Sequence, residues 1–228
     1  VQTLLVLAGV NDLAVRLEQD AAYDPHPPEA PGHAFTRVAP EPDRPWQRMG
    51  LFRLYRRLRV KKQEQARQRL IHSVGGESYQ EWRARRAAAS SWRQTLPDLA
   101  GALDAYEANL LEMDRLARQK GVRIVFLTQP ALWRADLSRE EESLLWFGWI
   151  GDRAVDTPGA YYTAGALQTG IDACNTRLLT VCRRERLDCF DLAARIPKTT
   201  AAFYDDIHFN ENGSALAARA IFEYLTGR

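Results

Sequence analysis

Near the carboxyl end of the chain, Asp205, Asp206 and His208 stand together in Phe203-Tyr204-Asp205-Asp206-Ile207-His208-Phe209. A carboxylate three residues before a histidine reaches that histidine's Nδ1–H across a tight turn. The bond fixes the imidazole tautomer and leaves Nε2 to take up and return a proton. Asp205 is therefore the expected orienter and His208 the expected general base. Asp206, the adjacent carboxylate, is the rival orienter. The plainer reading of a lone D-x-x-H is that both side chains brace the start of a following helix.

A second cluster lies near the start of the chain, at Gly9-Val10-Asn11-Asp12. Gly9 permits a sharp turn at a strand end. Asn11 then presents a neutral amide where an oxyanion would form. Asp12 is suited to capping the next helix. Alone, G-x-N-D is a turn.

Both clusters need elements to hold them. Thr3 to Ala8 is a continuous apolar run, the pattern of a strand buried on both faces. Leu13 to Leu17 starts a helix. Helices are expected over Leu51 to Arg69, about Tyr79 to Trp92, Asp98 to Lys120, Ala164 to Arg186 and Gly213 to Leu225. On the third, Leu99, Leu103, Tyr106, Leu110, Met113 and Leu116 form the apolar face, and Gly121 ends it. Val122 to Leu127 and Leu187 to Phe190 are the remaining strands. Alternation of apolar strands with helices predicts an α/β fold with a parallel sheet. Chemistry in such sheets gathers at the strands' carboxyl ends. The loops at Gly9 to Asp12, Thr128 to Trp133 and Asp191 onward meet that condition.

The chain has 228 residues, 46% hydrophobic and 26% charged, an ordinary globular composition. Lys plus Arg total 31 against 29 for Asp plus Glu, so no global field marks a nucleic-acid binder. The runs Leu4 to Val10 and Leu144 to Ile150 are too short to span a bilayer. No phosphate-cradling or dinucleotide glycine motif follows a strand. No cofactor is expected.

Residues Tyr23 to Pro45 hold seven prolines together with His26 and His33, and read as an irregular loop with solvated histidines. The helix from Leu51 carries eight basic residues against one acid, Glu64. That basic face is either simply solvated or docks on an anionic membrane surface. Cys174, Cys182 and Cys189 lack CxxC spacing and neighbouring histidines, which disfavours a zinc site. They read first as small buried hydrophobes, but Cys182 and Cys189 can instead pair in an oxidising compartment. Trp133, Trp146, Trp149, Tyr161 and Tyr162 form a sugar-stacking wall above the site or pack an inserted loop.

Together, G-V-N-D after a strand and D-D-I-H-F-N-E-N-G near the end resemble two blocks of the SGNH (GDSL-like) hydrolase superfamily. Tyr106, Asn109, the strand V-R-I-V-F-L-T-Q-P, Asn175 and C-F-D-L look similar to members found in bacterial envelope and polysaccharide contexts. The resemblance covers Val1 to Asp20 and about Leu96 to Arg228. It implies one flavodoxin-like three-layer α/β/α domain over 1–228, interrupted by a Pro-rich and basic insertion at about 21–95. It also implies a metal-free serine esterase or deacetylase acting on O-acyl esters, with a carbohydrate ester as the leading substrate. His208 would be the base and then the acid, Asp205 its orienter and Asn11 an oxyanion donor, with Gly9 and Asp12 supporting the turn.

The family's nucleophilic serine and a second oxyanion glycine belong before the G-x-N-D block. Only eight residues precede Gly9, and none is Ser. Ser78, in Gly75-Gly76-Glu77-Ser78, comes in the wrong order. The expectation is that the first strand and the nucleophile lie upstream of Val1. The chain by itself would then lack turnover and expose an unpaired sheet edge. Similar proteins are often exported or membrane-tethered through such a segment. Two other functions fit the same residues: a non-catalytic glycan-binding or scaffolding domain, and an O-acyltransferase.

Overall fold

A computed structural model of the chain describes residues 2–25, 79–151 and 159–227. The chain divides into two units, Val1–Pro25 with Trp82–Arg228, and His26–Glu81. Most of the second unit, including the basic segment from Leu51 and both His26 and His33, lies outside the described residues.

The main sheet has three parallel strands in the order β1-β3-β6, with β1 at Thr3–Leu7, β3 at Arg123–Leu127 and β6 at Cys189–Phe190. Four successive β3 residues, Ile124, Val125, Phe126 and Leu127, are buried. Successive strand side chains point to opposite faces, so β3 is covered on both. α1 (Val10–Gln19), α3 (Ala100–Gln119) and α5 (Ala164–Glu185) pack on one another, centred on Leu13, Leu17, Tyr106, Leu110, Leu167 and Ile171. α6 (Glu211–Thr226) meets the sheet through Tyr224, whose ring stacks on Phe190 at 4.7 Å and whose hydroxyl donates to the Asp188 carboxylate. Pairing of V-R-I-V-F-L with both other strands therefore follows the apolar patterning.

Several sequence expectations are corrected. β1 is not buried on both faces: Leu4, Leu5 and Leu7 are 44%, 41% and 43% exposed. It pairs only with β3 among the described residues, so neither face is covered as β3's are. The helix expected to Trp92 runs over 79–87 (α2) and stops. Ser91–Arg93 instead form β2, parallel to β5 (Ala160–Tyr162), which pairs antiparallel with β4 (Trp149–Ile150). This small sheet was not foreseen, because three-residue strands have no readable period. On α3 the buried face is Ala102, Tyr106, Leu110 and Ala117, and Leu116 is left 45% exposed. Packing on α5 selects small residues there, which a hydrophobicity count undervalues.

Cys182 and Cys189 are joined in a disulfide, while Cys174 remains a buried thiol. The bridge ties the last turn of α5 to the first residue of β6 and replaces the small-hydrophobe reading for that pair. No described helix is long and apolar enough to cross a membrane.

Candidate active site

The Asp205–His208 segment is held by its neighbours on both sides. Phe203 and Phe209 form an antiparallel bridge, and Tyr204 N donates to His208 O at 3.2 Å, closing a short loop. After it, Asn210 caps α6, its side chain accepting from Gly213 N at 2.9 Å. The bracing of the helix start is therefore done by Asn210 and not by Asp205 or His208. The amides of Asn210 and Asn212 also donate to Thr200 O and Ala201 O. Gly213 packs so closely on this stretch that a Cβ there would overlap the Ala202 carbonyl oxygen.

Asp205 is fully buried and accepts four hydrogen bonds. They come from His208 Nδ1 (2.8 Å to Oδ2), His208 N (2.9 Å), Ile207 N (3.0 Å) and Trp146 Nε1 (3.1 Å). Burial pushes its carboxyl up, but the donors from His208 and Ile207 together outweigh it, and the carboxyl is held below the ordinary range. The same contact raises His208: the Asp205 hydrogen bond is the largest influence, opposed by burial. The imidazole is 39% accessible and has two near-parallel ring neighbours, Tyr204 at 5.6 Å and 11° and Trp146 at 6.3 Å and 18°. With Nδ1 turned toward the buried carboxylate, Nε2 lies on the side of the ring away from Asp205.

Asp206 points inward. Its Oδ1 accepts from Trp133 Nε1 at 2.7 Å and its Oδ2 from Trp146 N at 2.6 Å. Its carbonyl accepts from Leu132 N at 2.8 Å. Burial pushes this carboxyl up to about 6, against the pull of Arg86 and the two donors. Arg86 is itself buried, donates to Phe147 O at 2.6 Å and lies over the Trp92 and Tyr161 rings. Asp206 is thus the peg that fixes the catalytic-type loop to the segment following β3.

That segment is pinned in turn. The Asn175 side chain accepts from Gln129 N at 2.8 Å and donates to Gln129 O at 3.0 Å. Thr128 Oγ1 donates to Asp191 Oδ1 at 2.7 Å, joining the carboxyl ends of β3 and β6. Exposed Asn109 makes no such contact.

At the end of β1, Gly9 is the N-cap of α1, with φ +122°, a conformation that side chains rarely adopt. Tyr106 Oη donates to Ala8 O at 3.2 Å beside it. α1 begins two residues earlier than its expected cap, so Asp12 falls in the first turn, where its carboxylate interacts with the backbone N–H groups of Gly9 and of Asp12 itself. It is largely buried beside Tyr106 and Cys174, and burial raises its carboxyl. Burial also pushes the Cys174 thiol up to about 12, leaving it unreactive. Asn11 is exposed in the first turn of α1, with no side-chain hydrogen bond among the described residues. The G-V-N-D turn leaves β1 next to the Thr128-Gln129 turn that leaves β3, since Leu7 pairs with Leu127. No direct contact joins Asn11 to His208.

The supposed aromatic wall is mostly interior. Trp133, Trp146, Tyr161 and Tyr162 are buried and pack the segments they belong to. The exposed ring at the site is Tyr204, which sequence reasoning did not select. Its only signal was adjacency to Asp205. The Trp146–Asp205 bond also had no signal, since it spans 59 positions. Comparison with family models, with curated proteins and with solved structures returned no match.

Proposed function

We propose that this chain carries the acid–base part of an SGNH-type serine esterase acting on O-acyl esters, acetyl esters of carbohydrate first among them. The observation that supports this reading most is the 2.8 Å contact from His208 Nδ1 to the buried Asp205 carboxylate, which leaves Nε2 on the side of the ring away from Asp205. A serine Oγ attacking the acyl carbonyl gives its proton to Nε2, and Asp205 stabilises the imidazolium formed. The tetrahedral oxyanion draws on Asn11 and the backbone N–H groups opening α1. Collapse breaks the C–O bond, and His208 returns the proton to the departing alcohol. Water then repeats the sequence on the acyl-enzyme.

In this reading the parallel sheet is the centre of a flavodoxin-like sandwich. The described serines serve elsewhere: Ser138 caps α4 (Arg139–Glu142), Ser90 donates to Gly159 O and Ser143 to Glu140 O. Ser91 lies in β2 and Ser214 in α6.

A fluorophosphonate probe on the full-length protein tests the proposal. We expect covalent labelling of one serine, abolished by His208→Ala and strongly slowed by Asp205→Asn. Absence of labelling in the unaltered protein would overturn the esterase and leave a non-catalytic, glycan-binding or scaffolding domain. Labelling with transfer of the acyl group to an added sugar in preference to water would identify an O-acyltransferase.

A further inference from the structure

The imidazole of His208 has two near-parallel ring neighbours, Trp146 and Tyr204, that differ in exposure. Trp146 is 8% exposed and spends its indole N–H on Asp205. Tyr204 is 49% exposed. The Tyr204 backbone is held at both ends: its N–H donates to His208 O, and its carbonyl accepts from Arg83 Nη2 at 3.1 Å. The backbone of Tyr204 is thus fixed beside His208, and its ring lies 11° from the imidazole plane.

We propose that Tyr204 is a specificity-determining residue that forms the wall of the leaving-group subsite and favours esters of pyranose alcohols. This rests on the esterase reading above. The departing alcohol must reach Nε2, which faces away from Asp205, so it arrives along the outer edge of the imidazole. Tyr204 lies stacked on that same imidazole and borders the approach. A pyranose ring presents a face of axial C–H bonds that covers an aromatic surface, while its hydroxyls stay in water or meet the phenol. A short alkyl alcohol has no such face. Two-torsion aromatic side chains supply this contact at little entropic cost. The buried tryptophans cannot supply it.

The test compares kcat/KM of the full-length protein for 6-O-acetyl methyl β-glucopyranoside and for ethyl acetate, in the unaltered protein, Tyr204→Phe and Tyr204→Ala. The sugar-to-ethyl ratio should fall about tenfold in Tyr204→Ala, mainly through KM, and stay within about twofold in Tyr204→Phe. An equal loss on both esters means a structural role for the ring, and no loss means no subsite; either overturns the proposal. A second arm needs no turnover. Unacetylated methyl β-glucopyranoside should shift the Tyr204 ring and His208 Hε1 resonances in the unaltered protein, and not the His208 signal in Tyr204→Ala. Absence of the shifts in the unaltered protein overturns the subsite. Binding without any hydrolysis keeps the subsite and overturns the esterase instead.

Discussion

Replacing Asp206 by Asn isolates the one carboxylate in the site that the fold makes costly to ionise. Its two oxygens accept from Trp133 Nε1 and Trp146 N, and burial raises its pKa from 3.8 to about 6. A raised carboxyl pKa means that the native state holds a proton the unfolded state has released. Its stability contribution is fully present below 3.8 and declines as pH rises through about 6. At about 1.36 kcal/mol per pH unit the whole decline is about 3 kcal/mol, and about 2 of it falls between pH 4 and 7.5.

Asp206→Asn abolishes that decline but has its own pH-independent cost. The amide turns an N–H₂ group against one of the two donors, a loss of a few kcal/mol. The variant should therefore be clearly less stable than the unaltered protein at pH 4, with the gap narrowing by about 2 kcal/mol at pH 7.5. Urea unfolding at pH 4, 5.5 and 7.5 measures this, with an unchanged m-value as the check on two-state behaviour. Loss of the Asp206 charge should also lower the His208 pKa, since that charge raises it. A gap that stays constant across this range, or widens with pH, refutes the assignment of Asp206 as a strained, buried acid.

Asp205→Asn should lower the His208 pKa, read from its Hε1 resonance, and slow turnover or probe labelling about 10²–10⁴-fold. Its stability deficit should be largest on the acid side of the raised His208 pKa, where the protonated pair contributes, and should shrink as pH rises through it. Replacing both Cys182 and Cys189 by Ala releases a constraint spanning seven positions and should cost about 2 kcal/mol in urea unfolding; no loss would show that the bridge contributes nothing. Gly213→Ala, which drives a Cβ into Ala202 O, should cost about 1–3 kcal/mol and perturb the His208 resonances. Gly101→Ala, which meets only ordinary contact with Pro25 early in α3, should be neutral or stabilising by up to about 1 kcal/mol, so equal thermal shifts for the two would refute the packing argument.

The chain's own order of residues determined the local chemistry. A three-residue offset is short enough that a tight turn brings Asp205 to His208 whatever surrounds it. A strand end followed by Gly9 is a local backbone requirement, and apolar runs as long as V-R-I-V-F-L announce a central strand. Helix starts and stops at Asn210, Gly121 and Thr163 are likewise local capping chemistry. Tertiary structure alone decided what is near in space but far in sequence. It paired Trp146 with Asp205, set Arg86 and two tryptophans around Asp206, and decided for packing over a sugar-stacking wall at Trp133, Trp146, Tyr161 and Tyr162. It also chose between pairing and burial for Cys182 and Cys189, placed Asp12 inside a helix turn, and exposed both Tyr204 and the leucines of β1. Those outcomes depend on which surfaces are covered, a property of packed elements that no single segment's composition carries.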